Sequence, residues 1–139
     1  MPVETRRITA KTRGYSDMVD LTDGVRDAVS ECEMQSGTVT VFAPGATAAI
    51  STIEYEPGLK RDIADYLEKF APYGAEYKHH ETWHDDNGAS HVRATLMGPS
   101  LTVPFVNKEL TLGTWQQIVL ICFDTRPRNR DLVLQIMGE

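Results

Sequence analysis

No apolar run in this chain approaches the roughly 18–20 residues that would cross a bilayer as a helix, so no membrane partner is expected. The opening Met1-Pro2-Val3-Glu4-Thr5-Arg6-Arg7 has no apolar stretch behind its basic pair, which leaves a secretory signal unsupported and makes a cytoplasmic location the expectation. Cysteine is scarce. Cys32 and Cys122 lie far apart in apolar stretches and read as buried thiols rather than as a disulfide in a reducing compartment. Basic charge is in deficit, with 14 Lys and Arg against 20 Asp and Glu and a net charge of −6, which argues against a nucleic-acid partner. Local basic groups survive this balance at Arg126, Arg128 and Arg130 and at Arg6 and Arg7, so small anionic substrates stay open. A P-loop, a dinucleotide glycine fingerprint, a nucleophile elbow and a Cys-x-x-Cys pair are all missing, which removes support for nucleotide-cofactor, serine-hydrolase and zinc-finger readings.

What is present is one domain's worth of chain, 139 residues with 41% hydrophobic content. Residues 3–11 read as an opening strand. Val25, Ala28, Val29 and Cys32 recur at three- and four-residue spacing and predict a helix capped by Thr22 and ended before Gly37. Strands are expected over Thr38–Ala43 and Ala48–Tyr55. Leu59, Ile63, Tyr66, Leu67 and Phe70 mark an amphipathic helix stopped by Pro72 and Gly74. Beyond residue 88 the periodicity reads as strands near 89–97, 100–106, 109–112, 115–123 and 131–137. The expected fold is therefore α+β, a single domain over 1–139 with two helices on a largely antiparallel or mixed β-sheet.

All four histidines, His79, His80, His84 and His91, fall within 13 residues, among Glu81, Asp85, Asp86 and Asn87. Imidazole is both a common metal ligand and the side chain that titrates nearest neutrality, so His80 and His91 are the leading candidates for chemistry. His80 and His84 would share a face if their segment were helical. The bland alternative is a solvated polar loop, and Asp85-Asp86-Asn87-Gly88 makes a good turn on structural grounds alone. Its carboxylates would also suit magnesium bridging a phosphate. Glu54 ends a strand and Asp62 sits in the first turn of a helix, where the dipole explains a carboxylate; near histidines the same pair would serve as acid–base groups or orient imidazoles. Trp115 reads as a buried aromatic, and Gln116 is a polar amide opening an apolar strand, fitted to pin a loop or hold a substrate. Arg126 and Arg130 carry guanidinium forks that match phosphate oxygens, or else decorate a hairpin tip.

Tyr77-Lys78-His79-His80, Asp86-Asn87-Gly88-Ala89-Ser90-His91, Gly98-Pro99-Ser100, Gly113-Thr114-Trp115-Gln116-Gln117-Ile118 and Arg130 occur in the order and spacing of one family. Over nearly its whole length the chain resembles the YjbQ-like proteins, also described as secondary thiamine-phosphate synthase-like. The resemblance implies a compact α+β subunit in a homotrimer, with sites near subunit boundaries. It also implies joining of hydroxymethylpyrimidine diphosphate to thiazole phosphate with release of pyrophosphate. His80, His91, Glu54 and Asp62 match motif positions and take the catalytic roles. A divalent metal (Mg or Zn) is implied on His80 and His91, with the third position open to His84, to His79, or to water and a carboxylate. Arg130, Arg126, Asn87, Trp115 and Gln116 take the phosphorylated substrate. One departure stands out: where many members carry His-Thr-Ser-Ala, this chain has Pro44-Gly45-Ala46-Thr47, with Gly45 in the histidine's place. Gly45 instead lets an anion approach backbone amides. The alternatives are a non-catalytic trimeric binder of a phosphorylated metabolite or metal, and a metal-assisted hydrolase.

Overall fold

The computed structural model describes all 139 residues, Met1–Glu139. In chain order the elements are β1 (Val3–Thr12), β2 (Asp17–Asp20), α1 (Thr22–Glu31), β3 (Gly37–Phe42), β4 (Ala48–Ile53), α2 (Pro57–Phe70), α3 (Lys78–Trp83), α4 (Gly88–Met97), β5 (Ser100–Val106), β6 (Glu109–Leu110), β7 (Gln117–Cys122) and β8 (Arg128–Gly138). They form a five-stranded sheet in the order β1-β8-β3-β5-β6 and a three-stranded sheet in the order β2-β7-β4, every pairing antiparallel. No helix is long and apolar enough to cross a membrane.

Alternation builds the larger sheet. Leu132, Leu134 and Ile136 of β8, Val39 and Val41 of β3, and Val103 and Phe105 of β5 all turn inward, joined by Val25, Ala28 and Val29 of α1. β7 is apolar without alternation because it is buried on both faces. Ile118 and Leu120 join the core shared with the large sheet, while Val119, Ile121 and then Phe123 meet a second cluster with Ala94 of α4 and Ile63 and Leu67 of α2. The layers are thus a five-stranded sheet, a three-stranded sheet, and an outer layer made by α2 and α4.

The α+β expectation holds, and so do the first helix, the second helix and most strands. The segment expected as a strand near 89–97 is instead the helix α4. Its inward positions are Ala89, Ser90, Arg93 and Ala94, small or polar residues that leave no apolar stripe for periodicity to detect. β2 and the short α3 are further additions, and β8 begins at Arg128, earlier than expected. Thr22 is the first residue of α1, not its cap. Its hydroxyl donates to Asp20 Oδ1 at 2.6 Å and accepts the Ile118 N–H at 2.9 Å, tying β2, α1 and β7 together. On α2, Glu56 supplies the cap by accepting the N–H groups of Gly58 and Leu59.

Candidate functional site

β4 and β7 run antiparallel with Ala48 opposite Cys122 and Ile53 opposite Gln117, so this pair has two ends about 20 Å apart. The site candidates divide between them.

At the Cys122 end, Arg130 extends the inward face of β8 one step past Leu132. Its guanidinium therefore reaches the loop before β4: Nη2 donates to Thr47 Oγ1 at 2.7 Å and approaches Cys122 Sγ at 3.4 Å. Its Nε is buried with no acceptor. Gly45, at φ +124°, lies so close that a Cβ there would stand 3.1 Å from Arg130 Nη1. The amides of Gly45, Ala46 and Thr47 donate to no backbone carbonyl. A guanidinium with donors to spare beside a run of free amides is an anion-binding arrangement. Two residues singled out by sequence, Gly45 and Arg130, are brought together here.

Asp124 stands next to them and was missed among the sequence candidates. It is 2% exposed; Oδ2 accepts Arg128 Nε at 2.6 Å and Oδ1 accepts the Thr125 N–H at 2.8 Å. Burial pushes its carboxyl up, but the Arg128 and Thr125 hydrogen bonds and the charges of Arg128 and Arg130 outweigh burial and hold it below its ordinary value. The available signal was an acid closing the apolar run of β7, four residues before an arginine. Arg126 lies exposed in the turn between them, without an ion pair.

The histidines reach the same end through α4. Ser90 Oγ donates to the Phe123 carbonyl at 2.6 Å, and Thr125 Oγ1 donates to Asp86 Oδ1 at 2.8 Å, which clamps the start of α4 to the end of β7. Gly88 packs against Tyr77 where a side chain would collide, and its N–H donates to His80 Nε2 at 2.9 Å. His79 packs on His91 with ring centroids 4.2 Å apart and the planes tilted by 45°, and its Nε2 is 3.5 Å from Asp85 Oδ2. With its amide nitrogen turned toward Asp85, Asn87 bridges that carboxylate and His79 Nε2 at 3.0 Å each. Burial, then the neighbouring His79, push the His91 imidazole below its ordinary value, against the opposing pull of Asp85 and Asp124. His91 is thereby biased toward the neutral, proton-accepting form.

A metal fits this cluster poorly. No three His, Cys, Asp or Glu side chains converge as a ligand set. The Nε2 lone pair of His80 is occupied by the Gly88 N–H, and His84 is an exposed left-handed residue that ends α3. His80, His91 and His84 are not assembled into a metal site by one chain.

The remaining candidates are at the other end. Glu54 follows β4 and is exposed, and Gln116 precedes β7, where Nε2 donates to Thr52 Oγ1 at 3.1 Å and Oε1 accepts the Gly113 N–H at 3.1 Å. Gln116 therefore pins its own loop. Trp115, expected to be buried, is 72% exposed because nothing in the chain covers this end. Asp62 lies on the exposed face of α2, and neither it nor Glu54 forms an ion pair with a histidine. The structure does not bring these four residues to the imidazoles of the same chain.

Three layers of antiparallel sheet and helix, with an arginine-and-amide site where β4, β7 and β8 meet, define an α+β protein of one particular type. The chain belongs to the UPF0047 protein YjbQ-like family, whose model matches residues 6–139. A UPF0047 protein of Archaeoglobus fulgidus is 39% identical over 130 residues, covering 94% of this chain and 98% of the relative. A UPF0047 protein of Methanothermobacter thermautotrophicus is 35% identical over 139 residues, or 100% and 95% of the two chains. The crystal structure of a YbjQ-like protein from Sulfolobus solfataricus superposes with a TM-score of 0.93 at 32% identity and covers 99% of both chains. A YjbQ/UPF0047 protein from Clostridium acetobutylicum does so at 0.86 and 34%, covering 95% and 99%.

Proposed function

We propose that this protein is a transferase acting on phosphorylated small molecules, and that thiamine-phosphate formation is its reaction. The observation that supports it most is the Arg130 guanidinium set 3.1 Å from the Gly45 Cβ position, over amides that lack backbone acceptors. In that reaction the methylene C–O bond of hydroxymethylpyrimidine diphosphate breaks, its electron pair leaves with pyrophosphate, and the thiazole nitrogen forms the new C–N bond. The protein must neutralise the leaving pyrophosphate and hold the two rings in line. Arg130 and the 45–47 amides do the first, with Arg126 adding charge from its turn. His91, largely uncharged near neutral pH, accepts a hydrogen bond from substrate without adding positive charge of its own, and Asn87 and Asp85 fix the His79 ring packed against it.

Glu54, Trp115 and Gln116 enter through a second copy. A homotrimer with sites at its boundaries would set the Gln116 end of one protomer against the His91 end of the next. The exposure of Trp115 favours such an arrangement, because a large aromatic left bare in one chain fits an interface.

The test is product formation from the two phosphorylated precursors by wild type, Arg130→Ala and His91→Ala. Product from wild type that falls at least about a hundredfold in both variants supports the reading. Equal product in all three removes these residues from the site. Ligand binding without turnover in any of them favours a non-catalytic binder, consistent with Gly45 standing where many relatives carry a histidine.

A further inference from the structure

Between the turn after β1 and the start of α2 lies an open pocket of about 480 Å³ that the reaction above does not use. It is lined by Arg13, Tyr15, Ser16, Asp17, Lys60 and Arg61, among others. Three of these are cations and one is a carboxylate, in a chain whose net charge is −6. Asp17 is already spent on Arg13, accepting its amide at 2.8 Å and its guanidinium at 3.2 Å. The Lys60 ammonium meets no carboxylate; it donates to the neutral Tyr55 hydroxyl at 3.2 Å and lies 4.2 Å from that ring's centroid. Arg61 has no ion-pair partner. Unpaired cations gathered in a concavity attract anions of the pocket's size.

The wall of this pocket is backbone that resists relaxation. Gly14, Tyr15 and Ser16 hold φ of 86°, 51° and 68°, a run of left-handed residues that is unfavourable at each non-glycine. The run is held by three bonds: Tyr15 N–H to Asp124 O at 2.8 Å, Ser16 N–H to Cys122 O at 2.9 Å, and buried Arg93 Nη1 to Ser16 Oγ at 2.8 Å. Such a conformation persists only because these contacts over-determine it. Its visible result is the Tyr15 ring, held 4.9 Å from Tyr73 edge-on yet 56% exposed beside the cations.

We propose that this pocket is a second anion subsite, taking the phosphate or diphosphate of a small soluble molecule whose ring packs on Tyr15. It rests on the proposed transferase only for its purpose, since a reaction between two phosphorylated partners needs two phosphate sites; the binding itself is independent. The Tyr15 and Ser16 amides bond to the carbonyls of Asp124 and Cys122, so the two subsites share one stretch of backbone.

The experiment is calorimetric titration of the full chain with inorganic pyrophosphate at low salt, on wild type, Lys60→Ala/Arg61→Ala and Arg130→Ala. Wild type should bind two equivalents per chain. The double variant should weaken one class at least about tenfold and leave the class that depends on Arg130. A single equivalent in wild type, untouched by the double variant and lost in Arg130→Ala, overturns the second subsite and leaves the transferase reading intact. The reverse pattern keeps this subsite and sinks the other. Amide resonances of Tyr15, Lys60 and Arg61 in wild type, which must shift during the titration, guard against a misfolded variant. Tyr15→Asn removes the ring while suiting the left-handed backbone, and should bring phenyl phosphate down to the affinity of inorganic phosphate. Phenyl phosphate binding unchanged by Tyr15→Asn would rule out ring packing.

Discussion

Gly45 and Arg130 meet at close quarters: a Cβ at Gly45 would stand 3.1 Å from Nη1, tight enough that the guanidinium would have to give by a few tenths of an ångström. The φ of +124° at Gly45 adds a second requirement, because L side chains rarely adopt it. Gly45→Ala should therefore cost about 1–3 kcal/mol of stability and displace the Arg130 guanidinium. Gly45→His should not restore an imidazole to the site and should destabilise the chain by at least as much. Thermal melting and pyrophosphate titration of both variants check this; wild-type values in either would mean the loop rearranges freely.

His91 should titrate below its ordinary value of 6.5, with burial the main cause and His79 the second. A lowered value means the unfolded chain holds the proton more tightly, so protonation favours unfolding. This contribution to stability is complete above about 6.5 and is lost as the pH falls through the folded-state value. Imidazole proton NMR should show the low midpoint, and His79→Ala should raise it.

Asp124 carries the same sign from the other charge type. Its carboxyl is held below the ordinary 3.8, so its stabilisation is present above that value and lost as the pH falls below it. Acid unfolding should begin near the histidine range and steepen in the carboxylate range. In Asp124→Asn the second stage should shrink, as followed by circular dichroism against pH.

Arg93 is 1% exposed and donates to the Ala71 carbonyl, Ser16 Oγ and Glu68 while lying 4.1 Å from the Tyr73 ring centroid. It joins α4, which carries His91, to the strained turn and to the end of α2. Arg93→Leu leaves these acceptors unpaired and should cost about 1–3 kcal/mol, whereas Glu68→Gln, at a half-exposed partner, should cost less than about 1 kcal/mol. Urea unfolding of the two variants measures the difference.

If a second copy completes the site, Glu54→Gln and His91→Ala should each lose activity alone and regain part of it when co-assembled. Light scattering should give three chains per particle. A monomer, or no recovery on mixing, would remove the shared site.

The elements that sequence made legible are those whose burial follows a period. β3, β5 and β8 alternate, α1 presents Val25, Ala28 and Val29 on one face, and β7 is a continuous apolar run. α4 was illegible because its buried face holds an arginine, a serine and alanines, whose fit depends on Phe123, Ser16 and Ala71 being in place to receive them. The site divides in the same way. Local chemistry marked His80, His91 and Arg130, since imidazole and guanidinium have few substitutes for what they do, whereas Gly45 stood out only against the family pattern. That Arg130 stands over Gly45, that Asp124 joins them, and that Glu54 and Gln116 sit at the far end of β4 and β7 follows from strand register. Register links residues 48 and 122, or 10 and 130, and is decided only when the sheets close on their core.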